Sequence, residues 1–471
     1  MRYVVDWFTE WGQLEQYATE WNQLAGPVPF RRWEWLAEWW RHYGQSQQKR
    51  RSLAVGVVKS PSEGVIGLAP WYMEGSVLGG RVLRLLGDGE VCSDHLSLLC
   101  QPGWEQHVGE ALAQSLVARP TNCPNRRSLA EQTGNEPQEA IDSLFCCPNR
   151  SAFPFGWDLV ELADVDVAEP AVEAFALAMA KRGCWVERAP AGHCWVIPLP
   201  ETWEAFLQMV SRTHRIRLRR IDKRYFATGR AVLHTVQRSD QLAWAMDLLV
   251  QLHRQRRRDL GQPDQFVSDR FERFHRQLAP KLFAAGLLEL HWLEVDGQPV
   301  AAEYHLLGKK TIYAYQSGIA PTAQCDSPGQ WVHLALIRRA IQLGYQKFDF
   351  LRGDEPYKAH WRAQPQPTET FRIVAPQAAA RWRYGLVRTL RVLKSWLRRC
   401  LGRRPKPLVL PCLSPSADSA PRAENPFQIL SPRNQSPLCS ASSRRHPTET
   451  AHNRFKEQQV AFAKDEEEWI A

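Results

Sequence analysis

Strand-like runs and helix-like runs follow one another along most of the chain, and stops fall where the pattern changes. The clearest strand region is Leu287–Val295, Pro299–Leu307 and Thr311–Gly318, with Asp296-Gly297 as a hairpin turn between the first two. Ser327-Pro328-Gly329 opens a helix over Gln330–Leu343, with Pro at the first helical position. Gly344 ends it, and Tyr345, Phe348 and Phe350 begin another strand. Period-two alternation puts Lys347, Asp349 and Leu351 on one face of that strand.

Earlier in the chain, RRWEWLAEWWRHYG reads as a short amphipathic helix ended by Gly44. Trp35, Leu36, Trp39 and Trp40 fall at helical spacing there, a stripe that reads as core. Leu53–Val58 and Val65–Met73 read as a hairpin, and Arg81–Leu86 and His95–Leu99 as two more strands. Trp104–Val117 and Glu169–Arg182 read as helices, and Trp157–Leu162, Trp185–Ala189 and Cys194–Leu199 as short strands. Trp203–Val210 is helical and continues or restarts through RTHRIRLRRIDKRYFATG. Ala231–Val236 is a strand, Asp240–Asp259 a helix, and Ser268 caps another. Glu369–Val374 is a last strand.

Composition then marks the boundaries. The chain has 471 residues, 44% of them hydrophobic, with 20 Trp, enough for two or three domains with real cores. Residues 1–200 and 201–376 are expected as two domains. Residues 119–150, poor in apolar side chains, are expected as an exposed insertion in the first. The net charge is +10, and no acidic residue occurs between Glu369 and Asp418. Residues 377–402 read as a basic amphipathic helix, with Trp382, Leu386, Leu390, Leu393 and Leu397 on one face. Residues 403–471, rich in Pro and Ser, are expected to be disordered. An odd cysteine count of 11, at irregular spacing, points to free thiols in a reducing compartment. No apolar run approaches the roughly 20 residues that span a bilayer, and the first residues carry acids where a signal peptide is apolar. A cytoplasmic protein is expected, with anionic membrane at the inner face of the cytoplasmic membrane as a possible peripheral contact of 377–401.

Chemistry concentrates in YQKFDFLRGDEPYKAHW, Tyr345–Trp361. A buried strand seldom carries a carboxylate without a partner, so Asp349 needs a donor, with Arg352 or Lys358 at hand. The turn that follows holds Asp354, Glu355, Tyr357 and Lys358. A salt-bridged loop is the plain reading, and a site at the carboxyl end of a sheet strand is the sharper one. If this strand and Thr311–Gly318 splay, a crevice opens with the Ser327-Pro328-Gly329 helix start at its mouth, a place for an anion. Arg215 and Arg219, with Arg212, form a basic helix stripe that either faces solvent or holds an acceptor phosphate. No Cys/His spacing suggests a metal.

YQSG, SPG and FDFLRGDEPYKxxW, in that order, resemble the CelD-like acyltransferases of the GNAT superfamily, relatives of the FemAB transferases. Pro29-Phe30 with WLAEWW, IGLAPWY, and LLGDG before SDHLSLL resemble that family's first domain. The resemblance implies an α/β (α+β) fold of two tandem GNAT-like domains, mixed sheets flanked by helices, the first domain degenerate. It implies acetyl-CoA or another acyl-CoA as co-substrate, its diphosphate on Ser327, Gly329 and Gln330. The pantetheine arm would lie along Gln316, Ser317 and Gly318. The acceptor would be a hydroxyl or amine of a sugar, polysaccharide or envelope precursor, met by Arg215, Arg219 and Trp361. Glu355 or Asp354 would take its proton, and Lys358, with Tyr357 beside it, would orient the acceptor or stabilise charge developing on the thioester oxygen. The ordinary GNAT glycine loop is reduced here to one glycine. FemAB-like aminoacyl transfer from tRNA is the related alternative. A non-catalytic basic adaptor for anionic membrane or nucleic acid is the contrasting one, with nucleic acid the less favoured of the two for want of a binding motif.

Overall fold

The computed structural model describes residues 3–44, 51–76, 79–118, 152–320, 325 and 327–400. The expected insertion at 119–150 and the expected tail at 403–471 lie outside the described residues. Residues 1–385 form one compact unit, and a second unit begins at Leu386.

Fifteen strands are described: β1 (Val4–Phe8), β2 (Arg51–Leu53), β3 (Val55–Ser60), β4 (Gly64–Ala69), β5 (Trp71–Ser76), β6 (Gly80–Leu85), β7 (Leu99–Cys100), β8 (Leu159–Asp166), β9 (Trp185–Pro198), β10 (Ala231–Thr235), β11 (Leu288–Val295), β12 (Gln298–Leu307), β13 (Thr311–Ile319), β14 (Lys347–Arg352) and β15 (Gln364–Val374). They form a 4-stranded sheet, β1-β3-β4-β7, and an 11-stranded sheet, β10-β11-β12-β13-β14-β9-β15-β8-β6-β5-β2. Helices flank the sheets, as expected for a mixed α/β fold of GNAT type. The large sheet does not break at residue 200. β9 comes from the first half of the chain and is hydrogen-bonded between β14 and β15 of the second.

Several elements depart from the sequence reading for local reasons. Trp185–Ala189 and Cys194–Leu199 are one strand of 14 residues, because β15 pairs along its whole length. Val65–Met73 splits at Pro70, so β4 and β5 join different sheets. Of His95–Leu99 only the end is strand, because His95 has φ +59°. The Asp296-Gly297 turn forms as expected, with φ +51° and +78°, the left-handed pair that a tight hairpin requires. The 203–226 segment restarts. Ser211 Oγ accepts from His214 N at 3.3 Å and caps helix Arg212–Ile221 after helix Trp203–Met209.

Trp21, Trp35, Trp39 and Trp71 are fully buried in the larger core, so the aromatic stripe of residues 35–39 is core. A second core lies under helix Pro328–Gln342 and holds Phe348, Phe350 and Trp361. The basic helix runs over Ala378–Cys400. No helix among the described residues is long and apolar enough to cross a membrane.

Candidate active site

β13 and β14 separate after a short parallel contact. Only Thr311–Tyr313 pair with Lys347–Asp349. Past that point β13 carries a bulge, since Tyr304 faces Gln316 while the next residue, His305, faces Ala314. The strands therefore splay, and a cavity of about 220 Å³ opens between them. Ala314–Ser317 line one wall and Phe350–Arg352 the other. Glu303 and His333 lie along its side, Glu355, Tyr357 and Lys358 come from the turn after β14, and Glu90–Cys92 and Asp94 from the first half of the chain.

The bend of β14 has a definite cause. Asp349 Oδ1 accepts from Leu351 N at 2.7 Å, and Leu351 turns to φ +59°. The other oxygen of Asp349 meets His95 Nε2 at 3.0 Å, and His95 Nδ1 meets Asp166 at 2.9 Å. Asp349 is thus braced from the first half of the chain, and not by Arg352 or Lys358 as the sequence suggested. Burial pushes the His95 pKa down, but hydrogen bonds with Asp166, Asp349 and Cys194 overcome this and hold it well above the ordinary value. The imidazolium sits between two carboxylates. Arg352 is taken instead by Asp94, Asp164 (2.8 Å) and the carbonyl of Ser93 (3.2 Å). Burial lifts the Asp94 pKa, and Arg352 offsets only part of that.

Lys358 is 2% exposed. Its Nζ donates to the carbonyls of Leu351 (3.3 Å), Arg352 (2.8 Å) and Gly353 (2.9 Å), and pairs with Glu355 at 2.9 Å. An ammonium has three protons to give, so this one is saturated. The expectation that Lys358 orients the acceptor or the thioester oxygen is corrected: it clamps the 351–355 turn. Glu355 is 55% exposed on its side chain and carries that cation as partner. Asp354 points away from the cavity; its side chain, 77% exposed, meets His193 Nε2 at 2.8 Å and Trp195 Nε1 at 3.4 Å. Tyr357 stacks on His333 with ring centres 5.4 Å apart, and burial raises its phenol pKa.

Glu303 escaped the sequence reading. It is 2% exposed, lines the cavity, and its Oε1 has no hydrogen-bond partner. Its nearest nitrogens, His305 Nε2 at 3.6 Å and His333 Nε2 at 3.7 Å, are beyond a normal hydrogen bond. Burial pushes its pKa up to about 7, with His333 and His291 pulling the other way. The signal was present in VAAEYHLL: a lone acid inside an apolar strand, the same argument that singled out Asp349.

The remaining candidates are dispersed. Gln316 and Ser317 line the cavity. Gly318 lies against helix Leu242–Asp259, where a Cβ would come within 2.7 Å of His253 N and Leu249 O, and the Ser317 carbonyl accepts from His253 Nδ1 at 2.9 Å. Ser327, Gly329 and Gln330 start helix Pro328–Gln342 but do not line the cavity. Ser327 does not cap that helix with its side chain. Its Oγ accepts from Arg217 Nη2 at 3.0 Å, which sets a guanidinium beside the helix start. A Cβ on Gly329 would stand 3.0 Å from Ile319 Cδ1. Arg215 bonds Gln208, Arg219 faces solvent, and neither reaches the cavity. Trp361, expected to meet the acceptor, is a core residue at 2% exposure, stacked on Phe206 and edge-on to His214.

The stretch with the splayed strands is also the stretch that known proteins share. Residues 212–359 match the family model described as an acetyltransferase (GNAT) domain. No curated protein matches the sequence. Among solved structures the chain is similar to FemX, at 10% identity and TM-score 0.48, over 81% of this chain and 99% of that one. It is similar to a conserved protein of unknown function from Bacteroides thetaiotaomicron VPI-5482 at 11% and 0.45, over 79% and 100%. A tandem GNAT protein from the clavulanic acid biosynthesis pathway follows at 12% and 0.36, over 80% and 99%. At these values the three likenesses say nothing of chemistry. Residues 212–359 match a GNAT acetyltransferase domain, and on that match the protein is an acyltransferase.

Proposed function

We propose that the protein moves an acyl group from an acyl-CoA, acetyl-CoA in the simplest case, to a hydroxyl or amine of a sugar-linked or envelope-precursor acceptor. The observation that carries this is the splay. Past Tyr313 and Asp349 the facing edges of β13 and β14 are unpaired and border a cavity that holds an unpartnered carboxylate. An extended pantetheine arm suits such a strand edge along Gln316–Gly318, as a strand is completed by an added one. The acceptor enters the cavity, where Glu355 at the mouth and Glu303 inside are the carboxylates within reach of its proton. The diphosphate is assigned to the start of helix Pro328–Gln342, where the Arg217–Ser327 pair adds positive charge to the helix dipole. The sugar-type acceptor rests on the CelD-like resemblance alone.

Gly329→Glu tests the donor site. It places bulk and negative charge at the helix start, while the flexible tip of Ile319 yields the few tenths of an ångström the new Cβ needs. CoA is expected to raise the melting temperature of the wild type by mass action and to leave this variant unshifted. Equal CoA affinity in the two proteins by calorimetry removes the diphosphate from this helix.

The same reading places the protein at the inner face of the cytoplasmic membrane through helix Ala378–Cys400. Trp382, Leu390, Val392, Leu393 and Trp396 are exposed on it, and it carries basic residues and no acid. That composition suits anionic headgroups. Full-length protein is expected to float with anionic liposomes while residues 1–376 stay behind. Equal recovery of the two excludes the contact.

A further inference from the structure

Beside the cavity the sheet holds a group of ionisable side chains of which acyl transfer as described uses only Glu303. β11 and β12 run antiparallel, with Glu289 opposite His305 and His291 opposite Glu303. Directly opposed residues share a face of the sheet. Helix Pro328–Gln342 covers that face and adds His333 next to Glu303 and Arg339 next to Glu289.

The group forms a row of neighbours from the cavity to the surface. Glu303 Oε2 lies 3.6 Å from His305 Nε2, the His305 and His291 ring centres are 5.1 Å apart, and His291 Nε2 lies 3.2 Å from Glu289 Oε2. Glu289 reaches solvent and is held by Arg339 at 2.8 Å. Thr235 Oγ1 sits 2.9 Å from His291 Nδ1 and fixes that ring. Buried polar groups are normally satisfied, and here they are not. Oε1 of Glu303 and both ring nitrogens of His305 lack hydrogen-bond partners. A network built for stability would close these positions. Stepwise proton transfer needs such atoms to move into hydrogen-bond range of one another, and positions not held by other partners leave them free to do so.

We propose that Glu303 takes the proton of the acceptor nucleophile and that His305 and His291 pass it to Glu289 at the surface. This rests on the acyl-transfer reading above. The acceptor oxygen or nitrogen bonds to the thioester carbon and the carbon–sulfur bond breaks. The acceptor's proton goes to Glu303, and the leaving thiolate takes one from bulk water. The proton on Glu303 leaves through the two histidines and Glu289, so water regains the one it supplied.

The electrostatics agree. Glu303, raised to about 7 by burial against the pull of His333 and His291, is a base near neutral pH. Burial holds His305 and His291 down at about 4, so both are neutral and able to accept a proton briefly. Burial acts to raise Glu289, but His291 and Arg339 bring it to about 2, so it releases a proton readily. His333 is kept low by burial despite Glu303, with His305 and Lys358 also acting against its charge. Glu355 differs from Glu303 in having the Lys358 ammonium in contact and a half-exposed side chain.

Thiol release from acetyl-CoA by the full-length protein, with hydroxylamine as the acceptor probe and little buffer, tests the path. Glu303→Gln keeps the shape of the side chain and is expected to slow release by about 10²–10⁴-fold at unchanged CoA affinity. His305→Leu removes two unpartnered nitrogens, so its melting temperature holds or rises. Its turnover falls, and added imidazole buffer restores it, a dependence that a structural role would not create. His291→Gln gives the same readout one link further on, should His305→Leu not fold. Full turnover in Glu303→Gln, or unchanged low-buffer turnover in the histidine variants, overturns the proposal. CoA binding is read separately by calorimetry. Wild-type protein that neither binds CoA nor releases thiol defeats the acyl-transfer reading and this proposal with it.

Discussion

His95→Ala is expected to cost about 3–5 kcal/mol of stability, as breaking a buried ion pair from one side does. Asp349 is the reason. It is 3% exposed, and His95 is the cation beside it. Asp166 suffers less, because Arg31 stands 4.0 Å away and a third of its side chain meets water. The loss should depend on pH in one direction. The folded pKa of His95 is raised well above its ordinary value, so folding takes up a proton. The charge-dependent part is fully present below the unfolded pKa, about 6.5, and is lost as pH rises through the higher folded value. Urea unfolding of wild type and variant from pH 6 upward measures this. A gap below about 1 kcal/mol at pH 6 would show that Asp349 does not need the charge. His95→Gln, which keeps a donor without charge, is expected to fall between the two.

Lys358→Ala is the second large effect, and it separates scaffold from chemistry. The lysine holds three backbone carbonyls within 3.3 Å, two of them on residues with positive φ, Leu351 and Gly353. Removing it leaves those carbonyls and Glu355 without their donor. At about 1–3 kcal/mol for each buried group left unsatisfied, a loss on the order of 3 kcal/mol is expected. CoA affinity should fall little, because Gln316–Gly318 and the start of helix Pro328–Gln342 do not rest on this turn. Glu355→Gln should leave stability within about 1 kcal/mol of wild type, since the carboxylate is half exposed. Thermal denaturation beside CoA calorimetry on the pair decides it. A Lys358→Ala protein as stable as wild type would return the ammonium to the chemistry.

The two variants act on one device. His95 holds Asp349 before the bend of β14 and Lys358 holds the carbonyls of residues 351–353 at and after it, and Phe350–Arg352 line the cavity. The first half of the chain thus contributes to the site in residues 212–359, the stretch that matches the GNAT domain. It supplies His95, Asp94 and Asp166 to brace β14, and Glu90–Cys92 to line the cavity.

Local chemistry determined much of this protein by itself. The Asp296-Gly297 hairpin, the Ser268 cap and the Pro328 helix start rest on interactions within a few residues, and a linear sequence displays those, while helical spacing marked Trp35 and Trp39 as core. The order of strand, helix and strand around 311–352 was legible for the same reason, and with it the crevice between β13 and β14. What tertiary structure decided was pairing at long range. Asp349 announced its need for a partner, but that partner lies 254 positions away, and the nearer Arg352 and Lys358 were spoken for by Asp94 and by backbone carbonyls. Trp361 and Asp354 sat in the right motif and yet lie in the core and in solvent, set by the packing of Phe206 and His214 on the one and by His193 and Trp195 beside the other. Glu303 was visible as an acid in an apolar strand. Its openness was not, since an unsatisfied carboxylate is defined by what fails to reach it, and only the packing of β11, β12 and helix Pro328–Gln342 around it settles that.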